Sequence, residues 1–212
     1  MKNNLYTVTY AAVLALVCAI GLTAVHTLTE QRYQDNLAAK KARNIMDVLG
    51  ISFDAKTPAK EIVKIREQKV QTDADRSKLY GATVYYSDHP EHGRLWAVEF
   101  AGEGMWKQIK GLLCLKSDLK TIHSITFYQQ EETPGLGAKI AKPKFQNSFE
   151  GKKIYDESGE PGIVVTKTKA AKQNEIDAIT GATITSGKVR DMLNELIDRI
   201  AKAQPTEVSD VR

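Results

Sequence analysis

The chain has 212 residues, a formal net charge of +4 and 26% charged residues. That length holds one medium domain with an accessory element, and the composition excludes global disorder and fibrous repeats. Lysines and acids interleave from Lys56 onward, so no basic stripe for nucleic acid forms.

Tyr6 to Leu28 carries no formal charge and is long enough for a helix that crosses a bilayer. The run is long for the apolar region of a signal peptide, and Ala24-Val25-His26 offers no clean cleavage site. Residues 1–29 are therefore expected to be an uncleaved anchor, with a buried soluble helix as the rival. Lys2 precedes the run, whereas Arg32, Lys40, Lys41 and Arg43 follow it. Taken alone, the positive-inside rule would put the bulk of the chain in the cytoplasm.

From Glu30 to Leu49 the helical pattern continues, with Ala38, Ala42, Ile45, Met46 and Leu49 at helical spacing and Gly50 as the stop. This segment is either a stalk or the first helix of the folded domain. A second helix is expected over Ala59–Lys69, and Thr72–Leu79 reads as irregular. Ala82–Tyr86 and Arg94–Phe100 flank a turn cluster and predict a β-hairpin. In the second of these strands Leu95, Ala97 and Glu99 share one face, and Trp96, Val98 and Phe100 the other.

Gly102 and Gly104 predict a bend, with a short helix starting at Trp106. Trp106 suits either the core or a cover over a planar ligand. Gly111–Leu115 is a short apolar run, and Thr121–Gln129 alternates as a half-buried strand. Ile122, Ser124, Thr126 and Tyr128 would lie on one of its faces. Glu131 to Ile140, with Pro134, Gly135 and Gly137, is a loop of the kind that faces ligands, but it is neither a dinucleotide fingerprint nor a P-loop. A short helix over Pro143–Phe149 and strands at Lys153–Tyr155 and Pro161–Thr166 follow. The last helix is expected from about Ser186 to Ala203, with one apolar face of Val189, Met192, Leu193, Leu196, Ile197 and Ile200. Residues 205–212 form a polar tail.

The stretch just before that helix, Asp177 to Ser186, is rich in hydroxyls and small residues. Hydroxyls here can cap a helix, and the free amides of a first turn can face an anion. A plain capped loop and an anion site both satisfy the pattern. Cys18 and Cys114 lie in separate apolar runs with no CxxC, no zinc spacing and no expected disulfide. The four histidines make no ligand pattern, and no acid–base constellation marks a free-standing enzyme. The fold class expected is α+β: an N-terminal transmembrane helix, then an antiparallel-rich sheet with helices on one side or at its ends.

Two signatures carry a resemblance. Thr180-Gly181-Ala182-Thr183-Ile184-Thr185 resembles the (S/T)GAT-x-T motif of the FMN-binding family, and Glu132-Thr133-Pro134-Gly135-Leu136-Gly137 resembles that family's ETPGLG loop. Gly102-x-Gly104-x-Trp106 is similar to the version in the NqrC subunits of Na+-translocating NADH:quinone reductases, relatives of the RnfG subunits of Rnf ferredoxin:NAD+ oxidoreductases. The resemblance implies FMN attached by a phosphoester to Thr185, placed there by a separate flavin transferase. Thr180, Gly181, Ala182, Thr183 and Ser186 would surround the phosphate, and Asp177 would organise the loop or a transferase metal. Thr133, Leu136, Gly137, Trp106 and Met105 would line the flavin. It implies an extracytoplasmic FMN-binding domain over residues 30–204, on the periplasmic side of a bacterial inner membrane, against the charge-based orientation. The implied work is electron transfer within a complex of integral membrane, flavin and iron–sulfur subunits, with no catalytic residue and no metal held by this chain. The alternatives are the corresponding Rnf subunit and a non-redox membrane-anchored assembly module.

Overall fold

The computed structural model describes residues 2–203, so the tail over 205–212 lies outside the described residues. The first element, α1, runs unbroken from Lys2 to Val48 over 47 residues, about 70 Å of helix at 1.5 Å per residue. Its N-terminal half is long and apolar enough to cross a membrane, and none of that window is buried in the protein. Thr9, Thr23 and Thr27 return their hydroxyls to carbonyls one turn back, so these polar side chains need no outside partner.

The C-terminal part of α1 is core. Ala42, Ile45, Met46 and, just past the helix end, Leu49 are buried as the spacing predicts, and Ala39 and Val48 join them, whereas Ala38 is exposed. Next come α2 (Ala59–Lys69), β1 (Gln71–Thr72) and α3 (Ala74–Tyr80). The irregular segment expected over Thr72–Leu79 is thus mostly helix. The Asp73 side chain accepts the Arg76 amide at its start, and Gly81 ends it with φ of +60°. Seven residues are too few to show periodicity, so these end signals decide.

The strands β2 (Val84–His89), β3 (Gly93–Glu103), β4 (Gln108–Leu115) and β5 (Ile122–Gln129) join β1 in one five-stranded antiparallel sheet in chain order. The short helix expected at Trp106 is absent: residues 104–107 turn the chain, with Gly104 N–H donating to the Lys107 carbonyl, and β4 follows. Gly111–Leu115 is apolar throughout because β4 is covered on both faces.

Helices cover the sheet on both faces, not on one side only. Leu95, Ala97, Leu112 and Cys114 pack against α1 and α2, while Trp96, Val98, Phe100, Leu113 and Leu115 face the second core. The alternation expected in β3 is what the structure has. In β5 it is broken by register shifts against β4, which put Ile122 in the same core as Ile125 and Phe127.

After β5 come a 3-10 turn (Gly137–Ala141), α4 (Pro143–Gln146) and a second 3-10 turn (Asn147–Phe149), in place of one short helix. Lys153 and Tyr155 make only isolated bridges, to Thr121 and Pro161. Instead β6 (Val164–Thr166) pairs in parallel with β7 (Glu175–Asp177). The chain closes with α5 (Thr183–Ala203), whose predicted apolar face is buried against the sheet. Each such side chain contributes about 1.5–3 kcal/mol when fully buried.

Candidate functional site: a threonine at the floor of a cleft

The two signatures lie far apart in the chain, and the fold brings them together. One arrives from the edge of the sheet after β5, the other from the start of α5. They meet around a cleft of about 350 Å³ lined by Met105, Thr133, Leu136, Gly137, Gly181, Ala182, Thr183, Ile184 and Thr185.

The helix begins earlier than expected, at Thr183 and not Ser186. Gly181 makes the entry turn with φ of +79°. Ser186 is already inside the helix: its amide donates to the Ala182 carbonyl. Its hydroxyl also donates to that carbonyl and accepts from the Ile179 amide, so Ser186 is a buried fastener. The amides left without an intrahelical acceptor are those of Thr183, Ile184 and Thr185. Thr183 and Ile184 are exposed, whereas Thr185 is 2% exposed.

Thr185 owes its orientation to a residue the sequence did not single out as a site. Its Oγ1–H donates to Glu132 Oε2 at 2.6 Å, across 53 positions of chain. Glu132 is itself 4% exposed. Its other oxygen accepts the amides of Met105 at 2.9 Å and Trp106 at 3.3 Å. The carboxylate therefore ties the bend between β3 and β4 to the floor of the cleft. Space for it is made by two glycines. A Cβ at Gly104 would stand 2.5 Å from Glu132 Oε1, and one at Gly137 would stand 2.6 Å from Thr185 Oγ1 and 2.8 Å from Glu132 Oε2. Neither has positive φ, so these glycines serve space and not backbone freedom. The available sequence signal was the acid that opens the second signature.

The remaining predicted residues fall in two places. Trp106 is not core: it is 65% exposed and donates its indole N–H to Thr133 Oγ1 at 3.0 Å. It stands at the rim with half-exposed Met105 and Leu136. Asp177 and Thr180 line a neighbouring cleft of about 490 Å³ with Lys139, Lys142 and Lys144. There Asp177 accepts the Ala170 amide at 2.6 Å and organises its own loop. The histidines His89, His92 and His123 gather away from the cleft, with ring centroids 4.8 and 4.9 Å apart along the trio. No metal-holding group of His, Cys, Asp or Glu occurs among the described residues. Both cysteines are free, Cys18 on the exposed part of α1 and Cys114 buried between the sheet and α1. Burial pushes the Cys114 thiol far above its ordinary range.

The geometry can be set beside known proteins. Residues 104–198 match the family described as FMN-binding domain, a span that contains every residue lining the cleft. The fold and this match define a class: a protein with an FMN-binding domain set behind a membrane-length helix. Its relatives are more particular. The chain is 26% identical over 214 aligned residues to the NqrC subunit of the Na(+)-translocating NADH-quinone reductase of Vibrio alginolyticus, with 84% of each chain covered. It is 31% identical over 174 residues to that of Neisseria meningitidis serogroup A, covering 81% of this chain and 66% of the relative. Among solved structures, the same subunit from Parabacteroides distasonis superposes with a TM-score of 0.68 at 26% identity, covering 82% of this chain and 96% of that one. Shewanella oneidensis NqrC shares the fold, with a TM-score of 0.60 at 18% identity. The resemblance read from the two signatures thus extends along most of the chain, which is similar to these NqrC chains over more than four fifths of its length.

The residues present fit a flavin held by its phosphate. A hydroxyl sits at the cleft floor, the space beside it is kept open by Gly137, and unpaired amides stand at a helix N-terminus. The rim is apolar and aromatic where a ring would rest.

Proposed function

We propose that this chain is the covalent-FMN, electron-carrying subunit of a membrane Na+-translocating NADH:quinone reductase, with FMN esterified through its phosphate to Thr185. The observation that supports it best is the convergence of both signatures on that one hydroxyl. When bound, FMN supplies the redox chemistry, and the protein's part is to hold and tune it.

In that reading the ester at Thr185 fixes the cofactor at an open cleft that would otherwise lose it. The amides of Thr183, Ile184 and Thr185 face the phosphate's charge from the positive end of α5. Leu136, Met105 and Trp106 shield the ring from water on the rim side, and the Trp106–Thr133 hydrogen bond fixes the indole. No side chain has to act as acid, base or nucleophile during turnover. The N-terminal half of α1 spans the inner membrane and holds the domain on the periplasmic side, against neighbouring subunits that deliver and remove electrons. A separate flavin transferase makes the ester.

Production with a competent flavin transferase tests this. The wild-type chain should gain the mass of FMN less water and fluoresce in a denaturing gel. Thr185→Val should do neither. A wild-type chain that stays unmodified beside a control acceptor that is labelled, or a valine variant that keeps the flavin, would overturn the reading. The first outcome would favour a non-redox assembly module.

A further inference from the structure

We infer that Glu132 is the proton acceptor for Thr185 when the flavin phosphate is attached, so that this chain supplies part of the catalytic machinery of its own modification. The inference rests on the proposed phosphoester at Thr185 and adds the group that makes this threonine, among the several hydroxyls nearby, a nucleophile.

A threonine hydroxyl is a weak nucleophile and is activated by a base within hydrogen-bond reach. Such a base is effective when a further group holds it in place. All three parts are present. Thr185 Oγ1 donates to Glu132 Oε2 at 2.6 Å. The backbone amides of Met105 and Trp106 hold Oε1 at 2.9 and 3.3 Å, so the carboxylate cannot turn away. The pair is buried at 4% and 2% exposure, where water does not compete for the proton. The other hydroxyls of the region lack this arrangement. Ser186 is committed to the Ala182 carbonyl and the Ile179 amide, and Thr133 accepts from the Trp106 indole.

Stability alone accounts poorly for the carboxylate. Met105 and Trp106 need only an acceptor, and an amide oxygen would serve. A buried carboxylate carries a desolvation cost, and two glycines are committed to leaving it room.

The donor is a flavin dinucleotide, because forming an ester from a phosphate and an alcohol requires an activated phosphoryl group. Thr185 Oγ1 attacks the phosphorus on the flavin side of the phosphoanhydride. The new Oγ1–P bond replaces the bridging P–O bond, and nucleoside monophosphate leaves with the bridging oxygen. The hydroxyl proton passes to Glu132 Oε2. No redox change occurs.

The experiment follows covalent flavin by intact mass over time, using the full chain in detergent with purified transferase and flavin dinucleotide. In Glu132→Gln the amide oxygen can keep both backbone hydrogen bonds while its NH2 group faces Thr185, so the loop keeps its shape without a proton acceptor. Attachment should slow by about 100-fold or more, the lower range for loss of a general base, at unchanged thermal unfolding. Glu132→Ala should be equally slow and should recover rate when formate is added, since the space left behind admits a small carboxylate. Attachment to E132Q at the wild-type rate would overturn the inference. So would a folded E132A that formate does not speed. If the wild-type chain itself stays unlabelled beside a labelled control acceptor, the proposed phosphoester falls instead, and the two failures are told apart by that wild-type sample.

Discussion

A methyl group at position 137 would press against both members of the Thr185–Glu132 pair, at 2.6 and 2.8 Å. Gly137→Ala should therefore lower stability by about 1–3 kcal/mol, the usual cost of overpacking, measured by urea unfolding. It should also lower covalent flavin, because the space beside the hydroxyl is filled. At this scale the sequence showed Thr185 and the glycines as motif letters and left the partner of Thr185 unnamed. A contact across 53 positions has no local pattern. Ser186 shows the opposite case. It looked like a phosphate neighbour, but the helix starts three residues early and its hydroxyl is used on the backbone. Trp106 was left open between core and cover because spacing does not distinguish a buried aromatic from an exposed one. Its 65% exposure takes it out of the core.

At the scale of elements, α1 does two jobs in one helix. Its buried segment carries Ile45 and Met46 with almost no exposed surface. Met46→Ala should cost about 2–5 kcal/mol, the range for large-to-small changes in a core, read from chemical unfolding of the domain. The same segment docks through Lys41, whose Nζ lies 2.7 Å from Glu99 Oε1 on β3. Partial burial opposes the Lys41 charge, but the hydrogen bond and charge of Glu99 outweigh it, so Lys41 titrates above its ordinary range. Beside it, burial first and then Glu99 push the Tyr128 hydroxyl up to about 12. A raised folded value means the stabilisation is complete below the group's ordinary value and is lost as pH rises through the folded one. Wild-type stability should therefore fall as pH climbs past about 10, and Lys41→Met should show a shallower alkaline loss in unfolding experiments. The long periodic stretches of α1, α2 and α5 and the alternation in β3 were readable because one period persists over many residues. The helix α3 and the strand at β4 were not: seven residues hide a period, and a strand covered on both faces has none to show.

For the whole molecule, the membrane-length part of α1 contributes nothing to either core. A variant lacking residues 1–29 should be water-soluble and should melt as the domain in the full chain does, as circular dichroism can check. A variant lacking residues 1–49 should not fold, because the face of the sheet bearing Leu95, Ala97, Leu112 and Cys114 would lose α1 and keep only α2 as cover. The fold class was visible in the sequence, but the covering of both faces was not, since that depends on where the second half of α1 returns to the sheet.

The unbroken course of α1 from Lys2 to Val48 has a geometric result. With no joint along it, the domain's heading around the helix axis is keyed to that of the apolar N-terminal half, the part long and apolar enough to cross a membrane. One residue added between positions 30 and 37 would swing the whole head by about 100° and lift it by about 1.5 Å, as the pitch of an α-helix dictates. The compass bearing of the cleft is set by residue count in the segment that joins the apolar half of the helix to its buried half.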